Sequence, residues 1–320
     1  MNKLALLLFL VFPALFYSQI KKKQDPKVSL AIETYAYLKG QDAALEKVLL
    51  QFPKLRAKAT AAEKNSKLLF NRAEQNIERF LADELEDSEF DKLQKGIDSL
   101  LNEQLKNPIE REKYALDFLK KVSERPNLIK DSLLLAGIRS FAYYDAPHEE
   151  ITEGHTKIFN TKNHPKAQEA SLKLSVPQSW LPEEAEMPET IQQFTSYWGR
   201  GSEKFLIVAY DLPAESTSFK LNKESVADLI SPQTLLIRSE NLAIDGKPGL
   251  MIEVEETINT GGQKLKIRML QFMFVYKQKL YCLQGSIGPV EVNKNLASQI
   301  KKHEPLFRLI ASQTQISEQL

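Results

Sequence analysis

His148, His155 and His164, three of the chain's four histidines, stand in one polar stretch, APHEEITEGHTKIFNTKNHPKAQ, with Glu149, Glu150 and Glu153 among them. Imidazoles and carboxylates are the donors of zinc sites, and a catalytic zinc takes three of them around an open position. The spacing does not supply such a set. HEEITEGH is not His-Glu-x-x-His, so one helical turn does not bring two rings to one face with a base between them. The cluster reads as a chance grouping in a polar connection between domains, with no metal and no cofactor.

Other residue types that do chemistry are equally unaccompanied. Gly199 and Gly201 in YWGRGSEK, and Gly261-Gly262, suggest a phosphate cradle. The second pair is better read as a hairpin turn, and the first lacks the strand-to-helix setting and the Lys-Ser/Thr ending of a P-loop. No Gly-x-Ser-x-Gly elbow is present. Cys282 is the only cysteine, so no disulfide forms within the chain. It alternates with apolar neighbours in KLYCLQG, the setting of a buried structural thiol. No catalytic residue is nominated.

Two short stretches have the chemistry of recognition instead. YWGRGSEK combines Tyr197, Trp198 and Arg200, residue types enriched at interfaces, in a loop before an apolar strand. The competing reading packs those aromatics beneath the loop. SLKLSVPQSWLPEE alternates Leu172, Leu174 and Val176 with Lys173 and Ser175, stops at Pro177 and then presents Trp180. Trp180 is either an anchor for a partner or a cap over the open end of the core, and its place just past a strand end favours the cap.

The elements that would position these residues fall into two grammars. From Lys27 to Arg139 apolar residues recur three and four apart, as in Leu30, Tyr35 and Leu38, or Ile77, Phe80 and Leu81. That spacing predicts four or five helices, punctuated at Pro53, Asn107-Pro108 and Arg125-Pro126. Basic helix faces between Lys54 and Arg79 and the acidic run Ala82–Asp91 read as solvated surface. From Ser171 the period becomes two, with strands expected at Leu172–Val176, Phe205–Tyr210, Thr234–Ile244, Leu250–Ile258, Leu265–Tyr276 and Lys279–Ser286. Short helices are expected at Pro188–Ser196 and Lys223–Leu229, and a longer helical region at Val290–Ile316 broken by Pro305.

Two hairpins specify their own registers. A turn at Thr260-Gly261 sets Glu255 against Lys266, Glu253 against Arg268, Val254 against Ile267 and Ile252 against Met269. A turn at Lys277-Gln278 sets Phe274 against Tyr281, Phe272 against Leu283 and Met273 against Cys282. The second hairpin is apolar on both faces, so both faces need covering. The expected fold class is α+β: an N-terminal helical domain followed by an antiparallel sheet sandwiched by helices.

The N-terminus opens with one lysine, an apolar run from Leu4 to Phe16 containing Pro13, and the small Ser18. The run is shorter than a spanning helix needs, so it reads as a signal peptide cleaved after Ser18, although Lys21, Lys22 and Lys23 oppose translocation. No Cys follows for lipid attachment. The expected organisation is a signal peptide at 1–18, a helical domain at 19–145, a linker at 146–170 and the sheet domain at 171–320. Lys and Arg number 43 against 42 Asp and Glu, a net charge of +1 that excludes the basic excess of a nucleic-acid binder.

The order of LSVPQSW, a helix from Pro188, FLIVAYDL, the meander LQFMFVY to LYCLQGS, and a terminal helix resembles the PsbP-like (Mog/PsbP) superfamily over Ser171–Ile316. The whole chain also resembles uncharacterised exported proteins of Gram-negative bacteria. The resemblance implies an α/β/α sandwich used for binding or assembly, with no shared active site and no functional residue to carry over. A helical domain before the sandwich departs from that pattern. The function expected is that of a non-enzymatic periplasmic or secreted binding or assembly protein of the cell envelope, its partner an unknown protein or envelope component, with no membrane span after signal removal. The alternative is a small-ligand-binding protein or hydrolase using a cleft between the domains.

Overall fold

The computed structural model describes residues 25–128, 132–167, 170–185, 187–212, 221–226 and 230–318. The expected signal peptide lies outside them. Contacts divide the chain between Tyr144 and Asp145 into two compact units.

The first unit is helical: α1 (Pro26–Gln51), α2 (Arg56–Glu63), α3 (Lys67–Glu84), α4 (Asp87–Leu105), α5 (Glu112–Leu128) and α6 (Leu133–Ala142). Asp25 caps α1, its carboxylate accepting from the Lys27 N–H at 2.7 Å, with Pro26 in the first turn where its missing N–H costs nothing. The acidic run has a local task. Glu86 and Glu89 form a capping box at the start of α4, and Asp87 and Glu89 sit where the helix dipole favours negative charge. The α5 helix runs through Pro126, where the sequence suggested a break. Leu30, Ala31 and Tyr35 of α1, Ile77 and Phe80 of α3 and Ile138 and Phe141 of α6 are buried. The crossing of α6 on α1 is close enough to require Gly137, since a Cβ there would lie 2.6 Å from Thr34 Oγ1.

The second unit holds α7 (Glu149–Thr152), β1 (Thr156–Asn160), β2 (Ala170–Pro177), β3 (Leu181–Glu183), β4 (Thr190–Thr195), β5 (Glu203–Asp211), β6 (Leu235–Ile244), β7 (Lys247–Thr260), β8 (Gln263–Tyr276), β9 (Lys279–Glu291), α8 (Ala297–Gln313) and β10 (Gln315–Glu318). Seven strands form an antiparallel sheet in the order β3-β4-β5-β9-β8-β7-β6, and β1-β2-β10 form a smaller one. Together with the helical region this is an α+β protein with antiparallel sheets.

One face of the large sheet, with Phe205, Ile207, Phe272, Phe274, Tyr281 and Leu283, packs in a single core with Leu172, Leu174 and Val176 of β2 and Ile300, Leu306, Phe307 and Ile310 of α8. Each such side chain removed from water contributes roughly 1.5–3 kcal/mol. That explains why α8 passes through Pro305, a residue that costs an interior helix about 3 kcal/mol. Pro305 lies on the exposed side of α8, and its neighbours Leu306 and Phe307 are fully buried. The opposite face, with Leu250, Ile252, Val254, Met269, Met273 and Cys282, is met among the described residues by Leu212, Leu221, Val226 and Ile230. Of the helix expected at Lys223–Leu229, a 3-10 turn at Lys223–Ser225 is seen, and residues 227–229 lie outside the described set.

Three further expectations are corrected. Residues 146–170 are no bare linker, because they supply α7 and β1, and β1 pairs with β2. Pro188–Ser196 is not a helix but contains β4. The register slips between Thr190 and Gln192, which puts Ile191 and Phe194 at helical spacing on a strand and disguises its period. The β7–β8 turn is Gly261-Gly262, one residue later than expected, with both glycines at positive φ (58° and 77°) as a two-residue hairpin prefers. Glu255 therefore faces Arg268, while the expected partners meet on the diagonal: Lys266 lies 3.6 Å from Glu255, and Arg268 Nε donates to Glu253 at 2.7 Å. The β8–β9 hairpin has the expected register, Phe274 on Tyr281, Phe272 on Leu283 and Met273 on Cys282.

Candidate functional site at the β4–β5 turn

Between Thr195 and Glu203 the chain turns through Ser196, Tyr197, Trp198, Gly199, Arg200, Gly201 and Ser202. Tyr197 (φ 50°, ψ 39°) and Trp198 (φ 54°, ψ 46°) are both left-handed, and Gly199 follows at φ 85°. For a residue with a Cβ this conformation costs roughly 1–2 kcal/mol, so two bulky aromatics in succession must be held there by their surroundings.

The restraints are identifiable. Ser196 Oγ donates to the Glu203 carboxylate, and both residues are 2% exposed. Gly201 N–H donates to Ser196 O at 3.1 Å and Arg200 N–H to Tyr197 O at 3.2 Å. Gly201 has to be glycine, since a Cβ would overlap Ser196 Oγ and stand 2.6 Å from Glu203 Oε2. A Cβ on Gly199 would come within 2.9 Å of Leu181, so β3 closes the other side. Trp198 N–H donates to Ser179 O at 2.9 Å. Ser179 is itself fixed by Glu150, which accepts its N–H at 2.8 Å and its hydroxyl at 2.6 Å, both residues buried. A buried carboxylate thus stands behind each end of the turn.

Each residue singled out in the sequence now has a place. Trp180 is 4% exposed, its ring edge-on to Phe307 at 6.4 Å within the core. Tyr197 is 5% exposed. Trp198 and Arg200 are half-buried at the surface. The Lys157 ammonium of β1 lies 4.3 Å from the centre of the Trp198 ring, a cation–π contact of about 0.5–1 kcal/mol at such a site. The structure therefore brings Trp198, Arg200 and Lys157 to one rim and buries Trp180 and Tyr197 beneath. Lys157, Ser196 and Glu203 escaped the sequence reading. The glycine pair flanking Arg200 was their only local signal, and partners from β1 are invisible to local spacing.

The histidine segment is used structurally. Glu150 is the anchor of Ser179, His155 N–H donates to Glu150 O at 2.9 Å, and His164 Nδ1 accepts the Lys166 N–H at 3.2 Å. Among the described residues no three His, Cys, Asp or Glu side chains are grouped to hold a metal ion. Burial pushes the Cys282 thiol up to about 12, where the thiolate of a nucleophile is out of reach.

A second polar constellation lies on the far edge of the sheet. Arg238 donates to Glu253 at 2.5 Å and to Glu304 at 2.6 Å, and Arg308 donates to Glu304 at 2.7 Å and to Glu240 at 2.8 Å. Burial works to raise the Glu304 carboxyl, but the hydrogen bonds from Arg238 and Arg308 prevail and hold it below the usual carboxylate range. This ladder ties α8 to β6 and β7.

No family model matches the chain, and no curated protein matches it. Solved structures do. Cyanobacterial PsbP (CyanoP) from Synechocystis is similar at 13% identity, with 50% of this chain and 92% of that chain covered and a TM-score of 0.33. LpqN, involved in cell envelope biogenesis of Mycobacterium tuberculosis, is similar at 11% identity, covering 52% and 94%, with a TM-score of 0.33. PA94 of Pseudomonas aeruginosa, a protein of unknown function, is similar at 13% identity, covering 50% and 95%, with a TM-score of 0.25. Each likeness covers about half of this chain, and the activities of those proteins stay with them. Among the described residues no helix is long and apolar enough to cross a membrane.

Proposed function

We propose that this chain is a non-enzymatic, exported binding or assembly protein of the bacterial cell envelope, and that its partner, another envelope protein, docks on the rim of Trp198, Lys157 and Arg200. The observation that carries the reading is the left-handed backbone at Tyr197 and Trp198. A glycine at position 198 would relieve its share of that strain, yet a tryptophan stands there, half-buried at the surface, with a lysine beneath its ring. Strain of this kind concentrates at functional sites, and Trp and Arg are the residue types that dominate binding energy. The groups suited to chemistry are occupied with structure: Ser196 and Ser179 are buried against carboxylates, and Cys282 is buried. Export rests on the apolar run Leu4–Phe16.

The test is photo-cross-linking in cells that export the protein. A cross-linking residue at Arg200 should give a discrete adduct that disappears when Trp198→Ala is added, while a cross-linker at Leu68, 74% exposed in the other unit, gives none. An adduct that survives Trp198→Ala, or no adduct from position 200, contradicts the proposal.

A further inference from the structure

β6 closes one end of the seven-stranded sheet, and its outer edge begins with three consecutive exposed apolar residues: Leu235 (59%), Leu236 (37%) and Ile237 (40%). Long apolar edges invite another strand, and proteins usually guard them with Lys or Pro. LLIRSENLAI contains neither. What the described chain sets at this end is the Lys223 N–H, which donates to Asn241 Oδ1 at 3.2 Å, and a register slip between Leu236 and Arg238.

We propose that β6 is where two copies of this chain pair, antiparallel, about a two-fold axis at Ser239. A two-fold axis perpendicular to a sheet preserves its faces, so only registers in which one residue opposes its own mate are open. Centring on Ser239 sets Arg238 of each copy against Glu240 of the other, two attractive pairs. Centring one residue either way sets Glu240 against Glu240 or Arg238 against Arg238, which like-charge repulsion disfavours. Beyond Arg238 the slip in β6 breaks the straight ladder, so the Leu235–Ile237 run of each copy lies beside the Asn241 end of the other without residue-by-residue pairing. Arg238 and Glu240 hold their intrachain partners and still expose 42% and 49% of their side chains, which leaves them surface for a mate.

The purified full-length protein should scatter light at twice the chain mass. Ser239→Cys should form a covalent dimer under mild oxidation, because cross-strand Cβ atoms in this position are within disulfide reach. Asn241→Cys should not, since in this register its own mate lies several residues away. Cys282 is buried and does not compete. Glu240→Arg should weaken the dimer by about ten-fold, and Leu236→Lys should weaken it further, each with unchanged circular dichroism. A monomer at every concentration would overturn the proposal and leave the edge to a strand from a different protein. Equal cross-linking at positions 239 and 241 would overturn it as well.

Discussion

Among the turns of the second unit that enter left-handed backbone, two fill it with opposite residues. The β7–β8 turn uses Gly261 and Gly262, with nothing within 4 Å of where a Cβ would stand. The β4–β5 turn uses Tyr197 and Trp198 and surrounds them with Ser196, Glu203, Gly201, Leu181 and Ser179. The first minimises cost where nothing is asked of the turn beyond reversing the chain. The second accepts a cost of roughly 1–2 kcal/mol per aromatic and uses local packing to hold the Tyr197 ring under the surface and the Trp198 indole at it.

The largest effect that sharpens this comparison comes from the two tryptophans. Trp180→Ala should lose about 3–5 kcal/mol in urea unfolding, because its ring fills the core against Phe307. A loss below 1 kcal/mol would place Trp180 outside the core. Next, the two turns should answer a methyl group differently. Gly201→Ala should cost about 2–3 kcal/mol by forcing apart the buried Ser196–Glu203 pair, whereas Gly262→Ala should cost only about 1 kcal/mol of backbone strain. Equal costs would mean that the β4–β5 turn is not specially restrained.

The charge ladder at the far edge provides a contrast in pH. The folded-state carboxyl of Glu304 is held down by Arg238 and Arg308, so its contribution is present above the unfolded carboxylate value and is lost as pH falls through the folded one. Glu304→Gln should therefore cost about 1–2 kcal/mol at pH 7, and the difference from the unaltered protein should shrink as pH falls below the usual carboxylate range. A constant difference across that range would assign the effect to packing. The smallest effect concerns Cys282. With its thiol pushed up to about 12, it should fail to react with a thiol reagent at pH 8 until urea unfolds the protein.

Much of this fold is legible in the residues themselves, and the exceptions have physical causes. Period-two patterning located β2 and β5 to β9, and the facing apolar rows of β8 and β9 set their register without error, because a one-residue slip would invert both faces. At β7–β8 two glycines compete for the turn, and the charge pattern tolerates either choice because direct and diagonal pairs both place Glu beside Lys or Arg. β4 was hidden by its bulge, and β1 by the polar run that contains it. Pro305 misled because a buried face outweighs a local propensity. At the rim, the aromatic and guanidinium types of Trp198 and Arg200 are visible in sequence, but which aromatic is buried depends on φ, and the lysine beneath the indole comes from a strand much earlier in the chain.

The central claim is that the turn holds Trp198 away from the core under backbone strain, and the unfolding free energy of Trp198→Gly tests it most directly. Relief of the left-handed strain should offset the lost cation–π contact and partial burial, leaving stability within about 1 kcal/mol of the unaltered protein. A loss as large as that expected for Trp180→Ala would show the indole to be a core residue and remove the rim as a site.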